Sequence, residues 1–264
     1  MVTSAVDGLP RRSLVPREHG AYGQLGLPLV VALMTGSGSG AAWLSALAAL
    51  VLFFAHEPLL VVLGQRGSAS ASHRRRARIV LTLDIAFGTC CMGLALWLAP
   101  AGRLAASAAF PGSLSLASGA LLRVGRERTT LGELCVAATL PALAVPVAVA
   151  GGVPLSGALH AWSAWWLGIS AATAAVRGVL GHTKRGQQRM SRLALPLAAA
   201  AAVVALAVLR VLPLGESVAT VPMLIGALWL AAWPPRPRHL RKVGWALVGA
   251  STLTALLLIF VALG

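Results

Sequence analysis

Long apolar runs alternate with short, polar and mostly basic segments along the whole chain. A transmembrane helix needs roughly 20 consecutive apolar residues to cross about 30 Å of hydrocarbon, and the apolar runs have about this length. The pattern therefore predicts an all-α fold, a polytopic transmembrane helix bundle with about nine spans. We predict these spans at residues 20–36, 40–63, 79–99, 104–122, 131–150, 157–176, 193–213, 217–233 and 243–263.

The division of the chain follows from the same pattern. Residues 1–16 are polar and contain two prolines, so we expect a disordered tail. Residues 17–264 are expected to form a single transmembrane helical domain. The fifth span carries Pro141 and Pro146, and because proline cannot donate a backbone hydrogen bond, we predict a bend there.

The composition excludes several classes of protein. Of 264 residues, 58% are hydrophobic and only 11% are charged, and the mean hydropathy is +0.81. A soluble domain has about a quarter charged residues, so this chain has too few to cover a water-facing surface. It is not a soluble enzyme, a nucleic-acid-binding module or a secreted disulfide scaffold. Its three cysteines fall inside apolar runs and show no metal-ligand spacing.

The basic residues predict the orientation of the bundle. When successive loops are assigned to alternate sides, all of the 22 lysines and arginines except Arg103 and Arg210 fall on one side. Loops rich in lysine and arginine stay in the cytoplasm. The N-terminus is therefore predicted to be cytoplasmic and the C-terminus external.

The first candidate site is the segment at residues 16–23, where three ionisable residues meet the first span. Its Arg17 is a candidate anion ligand, and Glu18 and His19 are candidate catalytic residues that exchange protons. Glycines at positions 20 and 23 would allow a ligand or another helix to approach closely. The alternative is an interfacial anchor with a local ion pair.

Further candidate catalytic residues lie inside two predicted spans. His56 and Glu57 precede Pro58 in the second span, and Asp84 lies five residues into the third. Acids within a membrane span are costly and are functional candidates for that reason. The alternative for Glu57 is an ion pair with an arginine that only locks two helices together.

Four arginines are candidate substrate-binding residues, because guanidinium groups match the oxygens of phosphate. They are Arg17, Arg78, Arg126 and Arg177. We expect Arg177 to be the cation buried inside the sixth span, where it needs an acid partner, for which Glu57, Asp84 and Glu133 are candidates. The alternative for the basic loops is attraction to anionic lipid headgroups.

The start of the fifth span carries signals of its own. Thr129 or Thr130 is expected to cap this helix, and Glu133 suits its first turn. Trp162, Trp165 and Trp166 are expected to belong to an interfacial aromatic belt, with no cofactor role. We predict no metal site, and no cofactor can be named.

Two segments resemble a known family. The sequence Pro-Arg-Glu-His-Gly-Ala-Tyr-Gly at residues 16–23, followed by an apolar span and His-Glu-Pro-Leu-Leu at residues 56–60, is similar to the YwiC-like family of bacterial membrane proteins. The resemblance implies a multi-pass protein of the bacterial cytoplasmic (inner) membrane. It implies no particular reaction.

A more distant resemblance is to the UbiA family of intramembrane prenyltransferases. The segment at residues 126–140, with its Arg-Thr-Thr-Leu-Gly-Glu run, is similar to the basic, threonine-containing segment that opens their fifth helix. This resemblance implies a nine-helix, UbiA-like bundle with a cavity facing the cytoplasm. The two aspartate-rich motifs that bind magnesium and a prenyl diphosphate in that family are absent here, so arginine and lysine would bind a diphosphate directly.

Three functions are consistent with the sequence. The first is an enzyme or lipid-binding protein with a cytoplasm-facing polar cavity for a lipophilic anion of isoprenoid type. The second is a transporter of a small anion or metabolite, and the third is a non-catalytic membrane assembly partner. The expected partners are membrane lipids and a lipophilic diphosphate or other anion, not nucleic acid.

Overall fold

The chain folds into helices joined by short connections. The computed structural model describes residues 19–65, 73–126, 129–185, 188–235 and 240–264. Within these ranges every regular element is helical, which confirms the all-α prediction. The helices are α1 (His19–Thr35), α2 (Gly40–Val62), α3 (Arg74–Leu98), α4 (Ala101–Arg123), α5 (Thr130–Ala142), α6 (Ala144–Ala150), α7 (Leu155–Arg185), α8 (Arg189–Val208), α9 (Leu214–Ala232) and α10 (Leu240–Leu263).

Most of the predicted spans meet the requirements for crossing a membrane. By length and composition, seven helices in the described ranges are long and apolar enough, and α5 and α6 together count as one of them. The predicted first span corresponds to α1, whose apolar part, Gly20–Thr35, is shorter. The predicted sixth span lies within α7, which has 31 residues and is about 46 Å long at 1.5 Å per residue.

The fifth span is interrupted at the position where the sequence predicted a bend. Helix α5 ends at Ala142 and α6 begins at Ala144, with Leu143 between them. Pro141 and Pro146 flank this point, and neither can donate a backbone hydrogen bond to the preceding turn. The two segments therefore form one interrupted span.

Helices α1 and α7 occupy the centre of the bundle. Helix α1 contacts α2, α5, α6, α7 and α10, and α7 contacts α5, α6, α8 and α9 as well. In keeping with this central position, residues such as Ala164, Ala171 and Ala175 of α7 are buried against other helices. Peripheral helices instead carry large exposed apolar side chains, such as Leu83 and Phe87 on α3.

Small residues bring α2 and α3 close together. Ala77, Gly88, Cys91 and Ala95 are buried along one face of α3. A Cβ at Gly88 would lie 3.6 Å from Cγ1 of Val51 on α2. Small residues of this kind are typical of close helix packing in membranes.

The two ends of the bundle differ in charge. We call one end the basic end: it holds the start of α1, the turn after α2, the start of α3, the end of α4 and the starts of α5 and α8. Arg74, Arg75, Arg76, Arg123 and Arg126 are exposed there. The other end, which we call the opposite end, holds the last residues of α1, α6 and α10 and the first residues of α7 and α9.

Hydrogen bonds and two glycines hold the opposite end together. The Ser37 N–H donates to the Gly151 carbonyl (2.8 Å), and the Ser39 hydroxyl donates to the Ala150 carbonyl (2.8 Å). Gly36 and Gly151 are so close that a Cβ on Gly151 would lie 3.0 Å from the Gly36 Cα. The ends of α1 and α6 are therefore joined through their backbones.

Candidate functional site

Only part of the N-terminal motif at residues 16–23 lies within the described residues. Arg17 and Glu18 lie outside the described residues, as does the side chain of His19, the first residue of α1. One turn later, the ring of Tyr22 contacts Phe53 of α2 edge-on, with 5.2 Å between the ring centroids. The roles predicted for Arg17, Glu18 and His19 stay predictions.

Glu57 lies close to this contact. Phe53 and Glu57 are four residues apart, and both are buried on the same face of α2. A short loop joins α1 and α2, so they run antiparallel, and the start of α1 extends from Tyr22 towards the level of Glu57. The Glu57 side chain is only 7% exposed, whereas its neighbour His56 is exposed. The fold thus brings the two sequence motifs of α1 and α2 to one level of the bundle.

Asp84 reaches the same level from α3. It is half-buried and lies on the same face as Gly88, one turn nearer the basic end. Gly88 packs against Ala48, Val51 and Leu52 of α2. Helices α2 and α3 are antiparallel, so the turn before Gly88 on α3 lies beside the turn after Leu52 on α2. Asp84 is therefore at the level of His56. Arg78 is exposed on α3, on the far side of α2 from the centre of the bundle.

An ion pair between α5 and α7 forms the best-defined part of the basic end. The Arg177 Nη1 lies 2.6 Å from the Glu133 Oε1, and each side chain is 35% exposed. The prediction that Arg177 has an acid partner is confirmed, and the partner is Glu133. A charge-assisted contact of this length fixes the Arg177 guanidinium beside the first turn of α5.

The start of α5 is capped as the sequence predicted. The Thr129 hydroxyl accepts from the Gly132 N–H (3.2 Å) and donates to the Arg126 carbonyl (2.7 Å). The cap is Thr129 rather than Thr130. Its second bond ties the exposed Arg126 to the same helix end as Glu133, so Arg126, Glu133 and Arg177 lie around one helix N-terminus, where backbone N–H groups attract anions.

Replacing Thr129 with alanine tests this cap. We expect the free energy of unfolding to fall by about 1 kcal/mol, because the Gly132 N–H loses its acceptor. Thr130→Ala is the matched control, since Thr130 makes no cap bond, and it should leave stability within about 0.5 kcal/mol of wild type. Thermal unfolding in detergent measures both. Equal losses in the two variants would contradict the assignment of the cap.

The turn after α2 connects a further helix to this region. The Gln65 side-chain amide donates to the Leu122 carbonyl near the end of α4, at 2.6 Å. This hydrogen bond fixes the ends of α2 and α4 to each other. Leu122 lies four residues before Arg126, so the contact is close to the start of α5. The basic end thus joins α2, α4, α5 and α7.

Arg192 is a buried charge that the sequence did not reveal. Its side chain is 6% exposed, and its Nε donates to the Ala231 carbonyl in the last turn of α9 (3.2 Å). It also packs against Gly178, where a Cβ would lie 3.1 Å from the Arg192 Cβ. We predicted the seventh span from residue 193, but α8 begins at Arg189. Arg192 therefore lies inside the helix and satisfies a terminal carbonyl of α9.

A cavity of about 400 Å³ lies at the opposite end, between α1, α6, α7, α9 and α10. The polar cavity predicted from the sequence faces the basic end, and the described residues leave that prediction untested.

The prediction that the tryptophans of α7 belong to an interfacial aromatic belt was wrong. Trp165 is buried and lines the cavity, and Trp162 stacks on Trp166 at 5.2 Å. These rings face other helices because α7 is central.

The described part of the chain contains no cluster of side chains that could bind a metal ion. Among the residues in these ranges, no three histidine, cysteine, aspartate or glutamate side chains are close enough to hold an ion. A magnesium ion bound to a diphosphate is usually held by one or two carboxylates together with the phosphate oxygens and waters. The groups that the basic end does offer to an anion are guanidinium groups and a helix N-terminus.

A comparison with protein families shows which family the chain belongs to. The family model described as YwiC-like protein matches residues 15–149, just over half of the chain. The chain belongs to the YwiC-like family. The match covers α1 to α6, and thus the N-terminal motif, Glu57, Asp84 and Glu133, whereas Arg177 lies beyond it. No curated protein and no solved structure matches the chain.

Proposed function

We propose that this YwiC-like membrane protein binds a lipophilic anion, of the isoprenyl diphosphate type, at its basic end. The observation that carries the proposal is the Arg177–Glu133 pair at the start of α5. A surface anchor needs no such pair between two helices. Paired charges between the helices of a membrane bundle are typical of a ligand or ion site.

The chemistry of this region suits an anionic head group. Arg177 is held in place by Glu133 yet is 35% exposed, so an incoming phosphate can reach it. Arg126 is exposed at the same helix end, and Thr129 caps the α5 N-terminus. Guanidinium groups and helix N-terminal N–H groups both favour phosphate oxygens.

The proposal puts the basic end in the cytoplasm, because loops rich in arginine and lysine stay on that side. It also extends the sequence resemblance to intramembrane prenyltransferases, whose ligands enter from that leaflet. Arg17 and Arg78 would add to the anion site. Glu18, His19, His56, Glu57 and Asp84 would then supply acid–base groups for converting the bound ligand.

Thermal unfolding in the presence of ligands tests the proposal. The purified protein is titrated with inorganic pyrophosphate and with a long-chain isoprenyl diphosphate, each with magnesium and with chelator. Ligand at a hundredfold excess over its Kd stabilises the folded state by about 2.7 kcal/mol. We expect the isoprenyl compound to raise the melting temperature, and the shift to persist in chelator because arginines bind the head group. A shift that vanishes in chelator would contradict the arginine-based site, and no shift would contradict the proposed ligand.

Transport is the second candidate, and the interrupted α5–α6 span favours it. Pro141, Ala144, Val145 and Ala148 around the break line the cavity at the opposite end. Broken helices that line a cavity are typical of secondary transporters. Uptake of a labelled solute into proteoliposomes, dependent on a proton gradient, would support transport, whereas ligand access from the basic end alone would count against it.

A further inference from the structure

Helices α2, α4, α6 and α8 end in the same backbone turn. In each turn, a residue with positive φ follows the helix, and the next backbone N–H donates to the carbonyl five residues earlier. These four hydrogen bonds are 2.9–3.0 Å long and run from Gln65 to Leu60, from Arg126 to Leu121, from Val153 to Ala148 and from Val211 to Leu206.

The residue with positive φ differs at the end of α8. After α2, α4 and α6 it is a glycine, at positions 64, 125 and 152. After α8 it is Arg210, whose φ is 56°, and within the described ranges no other residue apart from glycine has a positive φ. A side chain in this left-handed region is strained because its Cβ approaches the following carbonyl oxygen, and glycine avoids that cost.

The helix end alone does not account for an arginine at this position. A cation near a helix C-terminus is stabilised by the helix dipole. It does not have to occupy the strained position, however: at the end of α4, Arg123 and Arg126 lie on either side of Gly125, which takes the positive φ. The guanidinium of Arg210 therefore has a further role that offsets the strain.

The surroundings of Arg210 narrow that role. Arg210 is exposed, and no acid in the described ranges pairs with it. It is one of the two basic residues that the sequence assigns to the opposite end, where lysine and arginine oppose the predicted orientation of the bundle. A group outside the chain is thus the natural partner of this cation.

The turn that carries Arg210 is apolar. Val208, Leu209, Val211 and Leu214 are each 55–75% exposed. Because α8 and α9 are both long and apolar enough to span a membrane, and only five residues join them, the turn lies where hydrocarbon meets the headgroup layer. An arginine at this level extends its charged end into the headgroups, while its neighbours contact acyl chains.

We propose that Arg210 binds the phosphate of an anionic phospholipid and thereby anchors the turn between α8 and α9 in the membrane. The planar guanidinium matches the oxygens of a phosphate group and can donate two hydrogen bonds to them. The partner is a lipid rather than free phosphate, because exposed apolar side chains surround the cation. This surface lies at the opposite end and is independent of the anion site proposed at the basic end.

Thermal unfolding of the full chain in maltoside micelles tests the proposal, with phosphatidylglycerol as the probe. Without lipid, Arg210→Gly should melt at a higher temperature than the wild type, because glycine accepts the left-handed conformation. Phosphatidylglycerol should then raise the melting temperature of the wild type by about 3 °C more than that of Arg210→Gly, as expected for the loss of one charged contact. Lipid bound at the basic end affects both proteins equally and cancels in this difference.

Matched variants separate the charge from the backbone. Arg210→Asn tolerates positive φ without a charge, so it should lose the response to phosphatidylglycerol as Arg210→Gly does. Arg103→Gln removes the other exposed cation of this end and should respond as the wild type does. An equal loss in Arg103→Gln would overturn the proposal, because any exposed cation would then suffice.

Two further comparisons identify the ligand. A glucosyl diacylglycerol has acyl chains but no phosphate, and it should stabilise the wild type and Arg210→Gly equally. Inorganic phosphate without lipid should not distinguish them either. The proposal is overturned if phosphatidylglycerol raises both melting temperatures equally, or if the glycolipid or inorganic phosphate produces the same difference as phosphatidylglycerol.

Discussion

Replacing Gly151 with alanine is expected to lower the free energy of unfolding by about 1–3 kcal/mol, because the added methyl group meets backbone and not a movable side chain. Its Cβ would lie 3.0 Å from the Gly36 Cα and 3.3 Å from the Ala148 carbonyl oxygen. The ends of α1 and α6 would have to separate, and the hydrogen bond from Ser37 to Gly151 would weaken.

Gly26→Ala in α1 is the matched control for this prediction. A Cβ at Gly26 has no other atom within 4 Å, and alanine is the better helix former, so this variant should be as stable as wild type or up to about 1 kcal/mol more stable. Unfolding in mixed micelles, followed by circular dichroism, measures both variants. Equal stability of Gly151→Ala and Gly26→Ala would show that the contact between α1 and α6 is looser than described.

Breaking the Glu133–Arg177 pair is expected to produce the other large effect. Arg177→Met removes the cation that lies 2.6 Å from the Glu133 carboxylate at the start of α5, and Glu133→Gln removes the negative charge of that carboxylate from Arg177. Each single variant should lose stability, and the double variant should lose less than the sum. From contacts of this kind we expect a coupling of about 1–2 kcal/mol, reduced because both groups are about one-third exposed.

A double-mutant cycle separates this pair from other contacts of the two residues. Arg126→Met is the control, because Arg126 is an exposed arginine at the same end. It should change stability by less than about 0.5 kcal/mol. If the losses from Glu133→Gln and Arg177→Met simply add, the two side chains do not stabilise each other and the pair is not a built feature of the site.

The helical architecture was largely predictable because it depends on a single property, apolar length. Each predicted span corresponds to helix in the structure, and the prolines at positions 141 and 146 marked the break in the fifth span. Helix ends were less predictable. The position of Arg192 depended on α8 starting at Arg189 rather than at residue 193, since basic side chains can begin a helix or precede it.

The partners within the candidate site were only partly predictable. The sequence showed that Arg177 needs an acid, but three acids were equivalent candidates, and only the packing of α5 against α7 selects Glu133. The cavity gave no sequence signal, because its wall consists mostly of alanine, valine, proline and glycine, which occur throughout the spans. Trp165 was placed in an interfacial belt because composition cannot tell a helix facing lipid from a central one.

Equilibrium binding of a labelled long-chain isoprenyl diphosphate, in nanodiscs and with chelator present, tests anion binding at the basic end most directly. The wild-type protein should bind it saturably. Arg177→Gln should bind it at least about tenfold more weakly, because a charged hydrogen bond to the head group is lost. Arg103→Gln, which removes an exposed charge from the opposite end, should bind it as the wild type does. Equal affinity of wild type and Arg177→Gln would contradict a site built on the Arg177–Glu133 pair.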